Sequence, residues 1–470
     1  METTKDARKS DERTKPSYEQ LFEENVRLKR RLQAFQARIK LLESRIRKLL
    51  REAKRQAAPF RKAEGPKAAP KKPGRKSGTA HGSHAHRPTI PPSRIDERHD
   101  APLPDRCPHC GGRDIKETGV AQQYQTEIPR RPICREFTIH IGCCASCGGR
   151  VQGRHPLQTS DALGAAASQL GPDAHATLVM LNKGLGLSHG KCAKFFSEVF
   201  GIQIGRATCV RSMLRSAAKV GMAYDQARQA VKDSKCVVPD ETGWRVGGRN
   251  AWLHVFASSR ATCYDIGDRS GKVSKRLLGL DWSGTLVHDG WSVYDQFQKA
   301  FHQQCLGHLQ RRCERMLQTA IGRAKRLPRQ VLTLIDQAFA LRRKWRGHRL
   351  NVDELAEAGL ILSCELERIA SGHFASKPNR RLAKHILKHG MHWFWFLIDP
   401  KIDATNFQAE QAIRPAIVNR KVWGGNREPT GTRAQARLTS VLVTLSQRGC
   451  DALIWLSEAR RSTVPLPLPP

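Results

Sequence analysis

The stretch Cys236-Val237-Val238-Pro239-Asp240-Glu241-Thr242-Gly243-Trp244-Arg245-Val246 decides the fold. Upstream, residues 160–232 are rich in Ala, Leu, Lys and Arg, with apolar side chains at helical spacing (Leu178, Leu181, Leu185, then Phe195, Phe196 and Val199). At Cys236 the period changes, and the quoted residues read as a β-strand. Gly247-Gly248-Arg249-Asn250 then reads as a turn, Ala251 to Ala257 as a second strand and Ala261 to Gly267 as a third. Next come a short helical pattern (Val273 to Leu280), the strand Gly284 to Asp289, a helix from Trp291 to Phe301 and a last short strand at His302 to Cys305.

The order βββαβαβ is that of a ribonuclease H-like α/β fold. In it the first and fourth strands are parallel neighbours at the sheet centre, about 4.8 Å apart, so Asp240 and Asp289 face one cleft. Two such carboxylates can share Mg²⁺ ions, and a pair of metal ions can activate an attacking oxygen and stabilise a leaving oxygen of a phosphodiester. A third carboxylate is needed. Glu410 is the candidate, in the helical segment Thr405 to Arg414, with Thr405 as its cap and one face packed on the sheet.

The chain is strongly basic, with 81 Lys plus Arg against 43 Asp plus Glu and a net charge of +38 over 470 residues. Such an excess calls for a polyanionic partner such as DNA. The longest apolar stretch, near Trp393 to Ile398, is far short of the ~20 residues of a membrane-spanning helix, and the first residues are charged rather than apolar. A cytoplasmic, nucleoid-associated protein is expected, with no membrane partner. Its fourteen cysteines are then thiols or metal ligands.

Residues 15–51 carry a heptad pattern: Leu21, Leu28, Phe35, Leu42 and Leu49 in one register, Tyr18, Leu32, Ile39 and Ile46 in the other. Asn25 occupies the second register, where a buried amide is best met by its own copy on a parallel partner. A coiled-coil homodimer or higher oligomer is expected. Residues 51–100 hold 13 Lys/Arg, 7 Pro and 4 His with almost no large apolar side chains, so 52–104 reads as a basic disordered linker. Within it Lys71, Lys72, Arg75 and Lys76 resemble an arm that follows DNA phosphates, a soluble spacer being the plainer reading.

Two Cys-x-x-Cys knuckles, Cys107/Cys110 and Cys144/Cys147, are each followed by a Gly pair. Thiolates so spaced suit a structural, four-sulfur Zn²⁺ site, and four sulfurs leave no open position for catalysis. Residues 105–155 therefore read as a zinc ribbon, with strands at Tyr124 to Ile128 and Glu136 to Ile141. Cys143 is an alternative ligand. Residues 156–232 read as a helical DNA-binding region, in which Gly184 to Phe200 followed by Ile204 to Thr208 gives helix, turn and a new helix capped near Thr208, either a helix-turn-helix for a DNA groove or, more plainly, a helical pair that packs as scaffold. Cys305 and His308 have metal-ligand chemistry but lack a second pair, so core or DNA-contact roles are favoured over zinc.

The segments Asp240-Glu241-Thr242-Gly243-Trp244, Gly284 to Trp291, Cys305-Leu306-Gly307-His308-Leu309-Gln310-Arg311-Arg312 and Thr405 to Lys421 resemble, in order and spacing, the insertion sequence 66 family of bacterial transposases. The leucine-rich N-terminal helix and the four-cysteine ribbon look like that family's leading modules. The resemblance implies a DDE transposase with catalytic acids Asp240, Asp289 and Glu410 holding Mg²⁺ or Mn²⁺ in a domain at 233–445, a helical insertion at about 306–400, and a C-terminal segment at 446–470. It also implies cleavage of terminal inverted repeats, joining of the freed 3′-hydroxyls to target DNA, and accessory proteins encoded beside the gene. Phe407 stands where many members have a second Asn, and His288 precedes the second Asp. Arg414, Arg420 and Lys421 are candidate phosphate contacts, exposed cations without special role being the equal alternative. Trp423-Gly424-Gly425-Asn426 is a loop on which a base can stack, though a buried Trp is the better expectation. The whole is a multidomain α+β protein, whose alternative reading is a non-catalytic, zinc-containing DNA-binding regulator or inactive remnant.

Overall fold

The computed structural model describes residues 91–126, 128, 131–163 and 169–470, with scattered positions from Ser17 to Ile39. The chain divides into two compact units, Met1–Thr126 and Glu127–Pro470. In the first, Tyr18, Leu28, Leu32, Phe35 and Ile39 are helical and exposed. Leu21, Asn25, Leu42, Ile46 and Leu49 lie outside the described residues, as do Lys71, Lys72, Arg75 and Lys76.

The second unit opens with a small antiparallel hairpin, β1 (Ile141–Cys143) and β2 (Arg150–Gln152), around the second knuckle. The strands expected at Tyr124 to Ile128 and Glu136 to Ile141 do not form among the described residues, apart from Ile141 itself. Tyr124 and Ile128 are 39% and 73% exposed, and Phe137 and Ile139 are only half-buried, so neither segment buries a face that would stabilise a strand.

Four helices follow: α1 (Pro172–Val179), α2 (His189–Phe200), α3 (Arg206–Lys219) and α4 (Gly221–Lys232). Ser188 caps α2, and Gly201 ends it in the left-handed conformation. The next helix starts with Gly205 in the cap position, ahead of the expected cap near Thr208.

Five strands then form one sheet: β3 (Cys236–Val246), β4 (Arg249–Ala257), β5 (Thr262–Gly267), β6 (Thr285–His288) and β7 (Phe301–Gln304), in the order β5-β4-β3-β6-β7. The first three are antiparallel, and β3–β6 and β6–β7 are parallel. The expected central pairing of first and fourth strands is thus present. Gly247 and Gly248, both with positive φ, make a two-residue turn between β3 and β4. Between β5 and β6 lies α5 (Lys272–Leu278). The helix expected at Trp291 to Phe301 is instead a 3₁₀ turn at Ser292–Gln296. Tyr294, Phe297 and Ala300 are buried at a spacing of three, a pattern shared by a 3₁₀ turn and by one face of an α-helix.

Alternate strand residues go to opposite faces. Val237, Phe256, Cys263 and Leu286 join a core with Val231 of α4, Leu277 of α5 and Phe297. Val238, Val255, Tyr264 and Val287 face a larger core. That core is completed by α6 (Leu306–Thr319), α7 (Arg326–Arg346), α8 (Val352–Ala370), α9 (Lys377–His389) and α10 (Phe407–Trp423). α10 runs on through Pro415, beyond the expected segment Thr405 to Arg414, and its N-cap is Asn406 rather than Thr405.

Two last helices, α11 (Pro429–Gln447) and α12 (Ala452–Arg461), turn back to pack with α1 to α4. Trp455 and Leu456 share that core with Leu178 and Met213, so residues 446–470 belong to the helical layer. Along β5, which borders the sheet, Ser440 Oγ accepts from Tyr264 N–H (2.8 Å), and Thr444 Oγ1 accepts from Thr262 N–H (3.2 Å) while donating to its carbonyl (3.3 Å).

Candidate active site

The parallel register sets Cys236 opposite Thr285 and Val237 opposite Leu286. Three residues beyond each member of the last pair stand Asp240 and Asp289, at the carboxyl end of the parallel strands, where open sheets form their ligand clefts. Alternation puts Asp240 on the same face as Val238, the side covered by α10. Glu241 goes the other way and accepts from Arg269 Nη2 at 3.0 Å. The Arg269 guanidinium lies 4.3 Å from the Trp252 ring centre and 5.1 Å from that of Trp291.

Asp240 is pushed up to about 7, chiefly by burial and further by the charges of Glu241, Asp289 and Glu410, although the Glu241 N–H donates to its Oδ1 at 2.9 Å. Asp289 is exposed and turns the chain by accepting from Trp291 N–H at 3.0 Å. Gly290 follows at φ +90°, where a Cβ would stand 2.9 Å from Gln304 Oε1 and 3.1 Å from His385 Cε1, so only glycine fits.

His288 braces this turn from beneath. Its Nδ1 accepts from Gly290 N–H at 3.2 Å, which leaves Nε2 to donate to His302 Nδ1 at 2.9 Å, and His302 Nε2 in turn to donate to the Phe297 carbonyl at 3.2 Å. Burial holds His288 well below the ordinary histidine value, which keeps this chain of neutral rings intact.

Glu410 stands in the first turn of α10, anchored by its N–H to the Asn406 carbonyl at 3.0 Å. Its Oε1 accepts from Arg311 Nη2 at 2.9 Å, with His308 Nε2 3.7 Å away. Asn406 is 1% exposed, and both atoms of its side-chain amide lack a partner. Cys305 is a core residue whose Sγ accepts from Asn406 N–H at 3.4 Å.

Among the described residues no group of three or more His, Cys, Asp or Glu is drawn close enough to hold one metal ion. The chemistry of the donor set still fits a divalent cation: Asp240, Asp289 and Glu410 offer hard oxygens, and the charges of Glu241, Asp289 and Glu410 all act on Asp240. The cysteine knuckles also suit metal chemistry, each taken by itself. Cys107 N–H donates to Gly112 O (2.8 Å) and Cys144 N–H to Gly149 O (2.9 Å). Backbone N–H groups at His109 and Cys110 lower the Cys107 thiol, and those at Cys147 and Ser146 lower Cys144. All fourteen cysteines are free thiols.

Of the candidate phosphate contacts, Arg414 and Lys421 are exposed. Arg420 is half-buried and donates from Nη1 to Thr242 Oγ1 (3.2 Å) and to the Gly243 carbonyl, tying α10 to β3. Trp423 packs edge-on against Trp244, with rings 5.7 Å apart, and Lys183 Nζ lies 5.0 Å from its ring centre. Asn426 Oδ1 accepts from Trp244 Nε1 at 2.8 Å, so this loop is built into the end of β3. His385 and His389 pack on Trp393 within the helical insertion. Asn406, Arg269 and the Arg311 contact escaped the sequence reading, because no local spacing marks a side chain that meets its partner only in the tertiary fold.

A mixed sheet with carboxylates at the end of its central parallel pair, roofed by a helix bearing a third, fits a transposase-type nucleic-acid enzyme, the class given by the family match. The family model for the transposase IS66 family matches residues 167–434, more than half of the chain, and the chain belongs to that family. It is also similar to the uncharacterized protein y4qI of Sinorhizobium fredii (strain NBRC 101917 / NGR234), 24% identical over 299 residues, which are 55% of this chain and 53% of that protein. The chain thus spans about half the length of this curated relative. No helix among the described residues is long and apolar enough to cross a membrane.

Proposed function

We propose that the protein cuts the terminal inverted repeats of its insertion sequence and joins the freed 3′-hydroxyls to target DNA, with Asp240, Asp289 and Glu410 as the catalytic acids of a ribonuclease H-like domain. The observation that carries this reading is the shared register of Asp240 and Asp289 beyond the last β3–β6 pair, on the side roofed by the helix of Glu410. These three residues would hold Mg²⁺ or Mn²⁺, which when bound supplies charge to the attacking and leaving oxygens of the phosphodiester. Asp289 and Gly290 fix the turn that presents the second acid, and the His288–His302 pair keeps that turn in place. A net charge of +38 supports double-stranded DNA as substrate, with affinity that falls steeply as salt rises.

In this reading the knuckles Cys107/Cys110 and Cys144/Cys147 hold one structural Zn²⁺, and residues 15–51 pair protomers so that two element ends meet. The ribbon and the α1–α4 region recognise the repeats. Exposed Arg414 and Lys421 lie on the helix of Glu410, where phosphate contacts would help to position the scissile strand.

The test is a nicking assay on duplex DNA bearing the element's own end, with Mg²⁺ present. Asp289→Asn should bind this DNA as the unaltered protein does and cut none of it. An unaltered protein that binds and never nicks, or an Asp289→Asn variant that cuts fully, would overturn the enzymatic reading and leave a DNA-binding regulator.

A further inference from the structure

We infer that Arg311 is a positioning residue that latches Glu410 away from the other two acids in DNA-free protein and releases it by moving onto a substrate phosphate. The inference rests on the catalytic reading above and concerns the order in which the site assembles.

Two helices meet at one junction. Leu306, first in α6, donates its N–H to the Ala404 carbonyl at 2.9 Å, and Asn406, which caps α10, donates its N–H to Cys305 Sγ at 3.4 Å. Arg311 lies in the second turn of α6, and Glu410 lies in the first turn of α10. Their backbones are therefore held in register by the junction, and any change in their relation falls to side-chain rotation. Both side chains have room for it, being 51% and 35% exposed.

The ion pair also has the right strength for a latch. Pairs open to water contribute little to stability, so the Arg311–Glu410 contact is readily exchanged. A guanidinium prefers the bidentate embrace of a phosphate, and a DNA strand entering the cleft offers one. While the pair is made, Glu410 is near enough for its charge to reach Asp240, yet no three acids close on a common point among the described residues. His308 Nε2 lies 3.7 Å from the same Glu410 oxygen, so a second cationic or polar group stays beside Glu410 when Arg311 leaves.

Thermodynamic reciprocity then requires that DNA and divalent metal each raise the affinity for the other, since each favours the unlatched state. The test measures Mn²⁺ binding to the full chain by loss of the free-ion paramagnetic signal, with and without duplex DNA carrying the element end. It compares the unaltered protein with Arg311→Gln, Arg311→Lys and Asp289→Asn.

Arg311→Gln should bind Mn²⁺ about tenfold more tightly than the unaltered protein when DNA is absent, a typical coupling, and should gain nothing further from DNA. Arg311→Lys, which keeps the charge and loses the fork, should fall between the two and guards against a misfolded glutamine variant. A merely structural arginine would instead weaken Mn²⁺ and DNA binding together. Equal Mn²⁺ affinity in Arg311→Gln and the unaltered protein, with both losing it on Asp289→Asn, would sink the latch alone. Mn²⁺ binding indifferent to Asp289→Asn would sink the catalytic reading and the latch with it.

Discussion

Asp240 and Glu241 are consecutive in β3 and face opposite sides of the sheet, one toward the helix of Glu410 and the other onto Arg269. Only one of them can serve the cleft, and their substitutions should separate. Asp240→Asn should lose strand cleavage by at least a thousandfold, whereas Glu241→Gln should keep cleavage within a few-fold and lose no stability at neutral pH, because burial raises Glu241 despite its contact with Arg269. Nicking rates set beside thermal melts of both variants would check this, and loss of cleavage in both would argue against the division of roles.

The same aspartate strains the metal-free fold. Its folded value of about 7 lies above the ordinary 3.8, so the stability it contributes is full below pH 3.8 and is lost as pH rises toward 7. At pH 8 the loss is complete, and Asp240→Asn should therefore melt at a higher temperature than the unaltered protein without divalent ions. The advantage should shrink as the melts are taken from pH 8 to pH 5.

His175 gives the opposite dependence far from the cleft. It is buried, shares a 2.7 Å hydrogen bond with Ser212 Oγ, and is pushed down to about 4 by burial and then by Arg460 and Arg215. A lowered histidine means that the unfolded chain binds more protons between pH 6.5 and 4, so its contribution is full above 6.5 and fades as pH falls through that window. Denaturant midpoints from pH 7.5 to 5 should drop less steeply in His175→Gln than in the unaltered protein.

Gly290→Ala combines an unfavourable φ of +90° with a Cβ 2.9 Å from Gln304 Oε1. The strain should cost about 1–3 kcal/mol and displace Asp289, so that cleavage falls at least tenfold while DNA binding is retained. A variant that cuts at the normal rate would show that the turn need not be held.

Elemental analysis should find one Zn per chain, removed when Cys107 and Cys144 are both replaced by Ser. Folded, zinc-free unaltered protein would contradict the ribbon.

The sheet and its two aspartates were legible because strand alternation survives in single residues: Val237 and Val238, or Leu286 and Val287, go to opposite cores. Glu410 was legible through its helical segment and through family resemblance, while the cap was placed one residue early, since Thr405 and Asn406 are both good capping residues. The sequence does not separate the 3₁₀ turn at Ser292–Gln296 from an α-helix, because periods of 3 and 3.6 diverge too little over a few residues. Arg269 and Arg311 had no local signature at all, since Arg311 and Glu410 are 99 residues apart along the chain.

The hydroxyls of Ser440 and Thr444 sit on the outermost strand as a partner strand would, yet they come from a helix, which cannot itself be extended sideways. The β5 border is thereby closed to strand addition by a second molecule, the usual route from a bare edge to aggregates. Under the proposed function, in which protomers gather on DNA, self-association is thereby kept off this edge.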